Sequence, residues 1–311
     1  MEILFNLTKN VDHLKPAALT IGNFDGLHLG HQAVINRVKE LAQKEQEHSI
    51  VLTFLNHPSE VLNPDKAVSK LCTQKHKIKL LDELGIDAVI LLRFTQEFSR
   101  QTAEEFLKKI YERFPFKHLI LGHDAVMGKD RQGNPEQIKK LAQSLNFQVQ
   151  YISPYLIEGK PVSSSSIREA LRTGNLQDVE KMLGRKYSIY SNVGTGKGKG
   201  RGLGFPTANI DTDSLCLPPL GVYAVSAKVD GKTFPGVANL GIAPTVRDDG
   251  KPILEVHLFD RSIDLYGKDV EVNFHGYIRP EKKFSDLTHL KERIGLDIEE
   301  AKFILRNDNA N

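Results

Sequence analysis

The stretch Ala17-Ala18-Leu19-Thr20-Ile21-Gly22-Asn23-Phe24-Asp25-Gly26-Leu27-His28-Leu29-Gly30-His31 decides the fold of the first half of the chain. A short run, apolar except for Thr20, stops at a glycine, crosses a glycine-containing loop and opens into a helical pattern over residues 31–44. Outward from it, similar runs recur at 50–54, 88–92, 118–121 and 149–152, separated by helical segments such as 102–114. Continuous apolar runs alternating with amphipathic helices are the pattern of strands covered on both faces of a parallel sheet. Thr102 with Glu105, and Ser166 with Glu169, place a hydroxyl three residues before a glutamate, which is capping-box spacing at a helix start. Residues 1–184 are therefore expected to form an open, doubly wound α/β sheet.

After Gly184 the pattern changes. Alternating runs at 222–229, 233–240, 254–259 and 270–274 are separated by segments rich in Gly, Pro and Asp. Short alternating strands with turn signals predict an antiparallel barrel or sandwich for residues 185–311. Leu287, Leu290 and Ile294 keep helical spacing near the end, and Asp297 with Glu300 suggests a further cap.

A length of 311 residues accommodates two such domains. With 40% hydrophobic and 26% charged residues, disordered and fibrous classes are excluded. A formal charge of +3 does not by itself argue for nucleic acid. Cys72 and Cys216 stand far apart without CxxC spacing, so neither a disulfide framework nor a cysteine zinc site is expected. The start Met1-Glu2-Ile3-Leu4-Phe5 has no signal-peptide pattern and no apolar run approaches a membrane span, so a cytoplasmic location without a membrane partner is expected.

The loop from Gly22 to His31 follows the first strand, at the sheet end where open α/β folds place ligands. Its glycines allow close backbone approach, the helix start offers unpaired N–H groups to an anion, and His28 and His31 share a helical face. Such a pair suits phosphate; capping or packing, or a zinc pair, are the alternatives. The serines of Val162-Ser163-Ser164-Ser165-Ser166-Ile167-Arg168 offer hydroxyls and N–H groups before a helix, with Arg168 as a charged fork, though a plain serine linker has the same composition.

In the second half, residues 194–209 read Gly-Thr-Gly-Lys-Gly-Lys-Gly-Arg-Gly-Leu-Gly-Phe-Pro-Thr-Ala-Asn. A basic loop so rich in glycine can wrap polyphosphate with backbone N–H groups. No GxGxxG register fits, and Gly231-Lys232-Thr233 is no P-loop because Ser226 occupies its first-glycine position. A nucleic-acid loop is the competing reading, weakened by the lack of aromatics between 194 and 204. Alternation puts Glu255, His257 and Phe259 opposite Leu254, Val256 and Leu258; on alternation alone Glu255 is a solvated carboxylate.

The run Gly26-x-His28-x-Gly30-His31 resembles the HxGH motif of nucleotidyltransferases. With Asn23-Phe24-Asp25-Gly26 before it, the likeness narrows to the bacterial bifunctional riboflavin kinase/FAD synthetase family. Thr53-Phe54-Leu55-Asn56-His57-Pro58 and residues 122–133 are similar to further motifs of that family, and residues 162–168 to its ISSTxxR motif. Gly204-Phe205-Pro206-Thr207-Ala208-Asn209 resembles the GxPTAN motif of riboflavin kinases. Ala125 and Met127 stand where phenylalanines are usual, Ser165 replaces threonine, and Ser166 and Ala243 replace arginines.

The resemblance implies a Rossmann-like nucleotidyltransferase domain that adenylylates FMN to FAD, followed by a β-barrel with a terminal helix that phosphorylates riboflavin to FMN. It implies that His28 and His31 stabilise charge on the attacked α-phosphate. ATP would meet Gly22, Phe24, Asp25, Gly30, Ser164, Ser165 and Arg168, and flavin would meet His57, Pro58 and Asp124. In the kinase, Gly196, Lys199, Gly202, Gly204, Pro206 and Asn239 would meet ATP, with Phe259 a weaker flavin candidate. Thr207 and Asn209 would hold magnesium, and Glu255 would accept the proton of the flavin 5′-hydroxyl. Both steps would use ATP and Mg²⁺, with riboflavin, FMN and FAD as partners and no nucleic acid. The rivals are a nucleotidyltransferase with another acceptor and a binding-only barrel, or an RNA-binding protein.

Overall fold

The computed structural model describes residues 1–6, 12–194, 204–242, 250–259, 265–282, 284 and 286–308. The chain divides into two compact units, one of Met1–Lys70 with Lys77–Ser164, the other of Leu71–His76 with Ser165–Asn311.

The first unit carries strands β1 (Glu2–Phe5), β2 (Ala17–Ile21), β3 (His48–Phe54), β4 (Ala88–Leu92), β5 (His118–Gly122) and β6 (Gln148–Ile152). They form one sheet in the order β1-β4-β3-β2-β5-β6, every pair parallel. Helices α1 (Leu29–Glu45), α2 (Ser59–Leu62), α3 (Gln74–Glu83), α4 (Gln96–Ser99), α5 (Ala103–Arg113) and α6 (Pro135–Leu145) occupy the crossovers; α3 begins in the Leu71–His76 segment. A short hairpin, β7 (Leu156–Ile157) with β8 (Lys160–Pro161), follows β6.

Successive strand residues alternate between two apolar cores. Leu19, Ile50, Leu52, Ala88 and Ile90 pack with Phe106, Leu107 and Ile110 of α5 on one side. On the other, Val51, Val89 and Leu91 pack with Ile35, Leu80 and Leu81, and Ala18 packs with Val34 and Val38. Burial on both faces is why these strands read as unbroken apolar runs. The expected box at α5 is present: Thr102 Oγ1 accepts from Glu105 N at 3.1 Å, and Thr102 N donates to Glu105 Oε2 at 2.7 Å.

In the second unit, α7 (Ser164–Arg172) and α8 (Leu176–Leu183) precede β9 (Ser188–Gly194), β10 (Ala208–Asp211), β11 (Gly221–Val229), β12 (Lys232–Ile242), β13 (Pro252–Leu258) and β14 (Asp269–Arg279). These six strands close into an antiparallel barrel in the order β10-β13-β12-β11-β14-β9, which resolves the choice between barrel and sandwich. Closure leaves no open sheet edge. Tyr187, Tyr223, Phe274, Leu254 and Val256 are buried, and Tyr223 meets Phe274 edge to face at 5.2 Å.

The helices α7 and α8 precede residue 185 yet group with the barrel, as does Leu71–His76. Within that unit Thr73 Oγ1 donates to Tyr190 O at 3.0 Å, and buried His76 lies 3.3 Å from Glu271 Oε1, which also accepts from Ser188 Oγ at 3.0 Å. Lys186 sits 2.9 Å from both Glu180 and Asp308. Burial disfavours its charge, but the hydrogen bonds it donates to those two carboxylates prevail and raise its pKa above the ordinary lysine value.

The terminal helix α9 (Leu287–Asp308) packs on β11, β12 and β14, with Ala301 and Leu305 against Val222, Ala224 and Val237. Two cap expectations are corrected. Asp297 lies inside α9, 3% exposed, bound by Arg279 Nη2 at 2.6 Å and Arg293 Nε at 2.9 Å, so its spacing to Glu300 marks a buried ion-pair network. The helix expected to start after Ser166 starts at Ser164.

Candidate active sites

In the first unit, β2 ends at Ile21 and the chain turns through Phe24 (φ 49°) and Leu27 (φ 40°) before α1. His28 is the N-cap of α1, its Nδ1 accepting from His31 N at 3.3 Å. The two imidazoles stack with centroids 3.6 Å apart, and the buried Phe24 ring meets His31 edge-on at 5.3 Å. A Cβ on Gly30 would stand 3.1 Å from the His28 ring, a tight contact that would press on the stacked pair. The first turn of α1 carries no acidic residue, and the helix dipole puts partial positive charge at this end, where an anion is favoured. Asp25 is 4% exposed, and its carbonyl accepts from Ser164 Oγ at 3.1 Å. Gly22, Phe24, Asp25, His28, Gly30, His31 and Ser164 thus all belong to this unit, whereas Ser165 and Arg168 group with the second. There Arg168 is buried and its carbonyl accepts from Cys216 Sγ at 3.8 Å.

Beside the loop lies a cavity of about 470 Å³ at the carboxyl ends of the strands, lined by Ile21, Phe54, Phe94, Phe98, Phe106 and Pro58 among others. Phe94 and Phe98 went unnoticed in the sequence; the only signal was two aromatics four apart just after an apolar run. Ala125 and Met127 line the cavity too. Asn56 clamps the Phe94 backbone, donating from Nδ2 to Phe94 O at 2.9 Å and accepting from Phe94 N at 3.0 Å. His57 precedes the lining residue Pro58 and is not itself among the lining residues; its Nδ1 accepts from Ser59 N at 3.1 Å and lies 2.7 Å from Ser59 Oγ. Burial opposes the Glu60 charge, but His57 N–H and Lys70 outweigh it and hold its pKa below the usual glutamate value. Asp124 is 81% exposed, beside the cavity and not among its lining residues.

In the barrel, register assembles the second site. Asn209 on β10 pairs with Glu255 on β13, and Glu255 pairs with Asn239 on β12. Directly opposed residues share a face, so the three side chains form one polar rung. It lies on the outer face, the one whose Val237 packs under α9. One rung along, the His257 ring meets Phe205 edge-on at 5.5 Å and its Nδ1 donates to Pro206 O at 2.9 Å, anchoring the segment that delivers Thr207. Asn239 Nδ2 donates to Glu281 Oε1 at 3.1 Å; Glu281 carries no motif signal in the sequence. A Cβ on Gly241 would fall 1.8 Å from that carboxylate, so a side chain there would displace Glu281 from Asn239.

Asn209 is 8% exposed and its Oδ1 has no hydrogen-bond partner among the described residues. An orphaned buried acceptor beside a carboxylate fits an oxygen-ligated hard cation. Among the described residues no group of three or more His, Cys, Asp or Glu side chains could hold a metal ion. Gly196, Lys199, Gly202 and Ala243 lie outside the described residues; Gly204 is exposed, with φ 86°.

The FAD synthetase family matches residues 10–166 and the riboflavin kinase family residues 183–305. The bifunctional riboflavin kinase/FMN adenylyltransferase of Haemophilus influenzae is 38% identical over 93% of this chain and 94% of its own length. Those of Pseudomonas fluorescens and Escherichia coli K12 are 36% identical over 95% and 90% of the chain, covering 96% and 90% of their own lengths.

The chain belongs to the bifunctional riboflavin kinase/FMN adenylyltransferase family.

As a member of that family it is an ATP-dependent transferase with FAD synthetase activity in its N-terminal part and riboflavin kinase activity in its C-terminal part. Membership sets aside a different phosphate acceptor and a purely RNA-binding protein. A solved structure described as a macrolide-efflux protein from Streptococcus pneumoniae superposes on 97% of this chain and 99% of its own, with a TM-score of 0.81 at 27% identity. Among the described residues of this family member, no helix is long and apolar enough to cross a membrane.

Proposed function

We propose that the polar rung of the barrel is where the flavin 5′-hydroxyl attacks the γ-phosphate of ATP, with Glu255 as general base. The observation that carries this reading is the register that sets Glu255 between Asn209 and Asn239. Thr207 and Asn209 would hold Mg²⁺, which would neutralise phosphate charge. Asn239, Gly204 and Pro206, with Gly196, Lys199 and Gly202, would hold the nucleotide. Glu281 keeps the Asn239 amide in place.

In the first unit His28 and His31 would stabilise charge on the α-phosphate as FMN attacks, supported by the positive end of α1, whose first turn carries no acidic residue. Gly22, Phe24, Asp25, Gly30 and Ser164 would shape the ATP site; Ser165 and Arg168 are proposed as ATP contacts on their motif alone. The phenylalanine-lined cavity would take the isoalloxazine, with His57, Pro58 and Asp124 around it. Mg²⁺ is proposed for this step as well, along with a cytoplasmic location and partners restricted to riboflavin, FMN, FAD and ATP, without nucleic acid or membrane.

Thr207→Ala and Asn209→Ala are expected to weaken metal-dependent ATP use, with partial recovery at high Mg²⁺ as the trace of a damaged ligand set. A magnesium titration of riboflavin phosphorylation reads this directly; unchanged dependence in both variants returns these oxygens to structure.

The adenylyltransferase and kinase are proposed to occupy residues 1–184 and 185–311. Residues 185–311 expressed alone should then convert riboflavin to FMN and make no FAD. If only a longer fragment that also carries α7 and α8 is active, the functional boundary lies before α7. A folded, ATP-binding fragment of either length that never phosphorylates riboflavin overturns the division.

A further inference from the structure

Gln101 joins α4 to the cap of α5 and lines the cavity of the first unit. Its Oε1 is buried and has no hydrogen-bond partner among the described residues. Several other polar groups on the wall are occupied or face water. Ser99 Oγ donates to Gln96 O at 2.8 Å, the Asn23 carbonyl accepts from Lys77 Nζ at 2.8 Å and Thr53 Oγ1 at 3.1 Å, and Asp130 and Arg131 are exposed. A buried acceptor without a partner costs stability in the ligand-free protein. Nothing in the fold calls for it, since leucine would fill the same space without that cost.

The backbone that carries the side chain is anchored. Gln101 N donates to Phe98 O at 3.2 Å, its backbone carbonyl accepts from Lys129 N at 2.7 Å, and the next residue is the doubly bonded cap Thr102. A carboxamide on an anchored backbone in a largely aromatic and aliphatic cavity is how binding sites orient a flat ligand that is apolar at one end and polar at the other. The isoalloxazine is such a ligand. Its pyrimidine edge presents a carbonyl, an N3–H and a second carbonyl, and a glutamine amide offers one acceptor and one donor side by side, whichever way it is turned. We infer that Gln101 determines flavin specificity in adenylyl transfer by pairing with N3–H and an adjacent carbonyl of the isoalloxazine, while Phe54, Phe94 and Phe98 hold its apolar part. This rests on the reading of the cavity as the flavin site.

The test compares FMN with FMN methylated at N3 as adenylyl acceptors, in the full chain and in two variants. One is Gln101→Leu, which keeps the size and removes the amide; the other is Ala125→Trp, which fills the cavity. The unaltered chain should prefer FMN by about tenfold or more in kcat/KM. Gln101→Leu should lower kcat/KM for FMN about tenfold, mainly through KM, and bring the two flavins within about twofold of each other. Because it removes an unsatisfied buried acceptor, the same substitution should raise the unfolding midpoint of the ligand-free chain by about 2–4 °C. Riboflavin phosphorylation in the same preparation reports that the chain is folded.

A Gln101→Leu chain that keeps the full preference for FMN overturns the inference. So does one that loses stability and both flavins equally, which would make Gln101 structural. Should Ala125→Trp leave FMN adenylylation unchanged, the cavity is not the flavin site and both readings fall. Loss of FMN use in Ala125→Trp with the preference intact in Gln101→Leu removes only the role of Gln101.

Discussion

Glu255→Gln is expected to lower riboflavin phosphorylation by about 10²- to 10⁴-fold, the usual contribution of a positioned base. Glutamine keeps the shape of the rung between Asn209 and Asn239 but cannot accept the proton of the attacking hydroxyl. The loss should fall on kcat, with ATP and flavin still bound, because the rung's other oxygens are untouched. Given FMN directly, the same chain should make FAD at close to the normal rate. That second activity separates lost chemistry from lost folding within one sample. Normal phosphorylation by Glu255→Gln would make Glu255 a partly exposed strand carboxylate and send the search to other groups of the barrel, Glu281 first.

Replacing His28 or His31 with alanine should cut FAD formation by about 10²-fold or more, in line with removal of a donor that stabilises developing oxyanion charge. FMN formation should continue. His28 also caps α1, and losing a cap costs roughly 1 kcal/mol, so His28→Ala mixes two effects. His28→Asn separates them, since asparagine is a good cap yet lacks the imidazole. If His28→Asn restores stability and leaves FAD synthesis depressed, the ring acts on the phosphate. Full FAD synthesis in both alanine variants would leave the stacked pair as packing.

Much of the first unit could be read locally. Burial on both sheet faces writes itself into unbroken runs such as Ala88-Val89-Ile90-Leu91-Leu92, and the Thr102 box forms within four residues. β1 escaped notice because a four-residue strand at the sheet edge, with Ile3 and Phe5 largely exposed, carries no such run. β9 was missed because Ser188-Ile189-Tyr190-Ser191-Asn192-Val193-Gly194 mixes polar residues whose partners lie on β14 and β10. Asp297 misled for a related reason. Its spacing to Glu300 imitates a cap, while its real partners are Arg293 one turn away and Arg279 on another element.

By itself, the sequence determined what depends on neighbours along the chain: the alternation of strand and helix, the glycine loop leading to a helix start, and the chemistry of the His28, His31 and Gly204–Asn209 motifs. Tertiary structure alone decided what depends on closure and register. Asn209 and Glu255 are 46 positions apart and meet only because β10 pairs with β13 in one register; a shift of one residue would turn Glu255 to the opposite face. Leu71–His76 groups with the barrel through contacts to β9 and β14, α7 through Cys216, and α8 through β14 and the Glu180–Lys186–Asp308 link to α9, which no local composition announces. Gln101 stands in an ordinary polar stretch before a helix cap, and only the convergence of β2, β3, the short helices and the loops between them sets it in a cavity with phenylalanines. Local propensity acts over a few residues, whereas burial and pairing are settled by groups far apart in the chain.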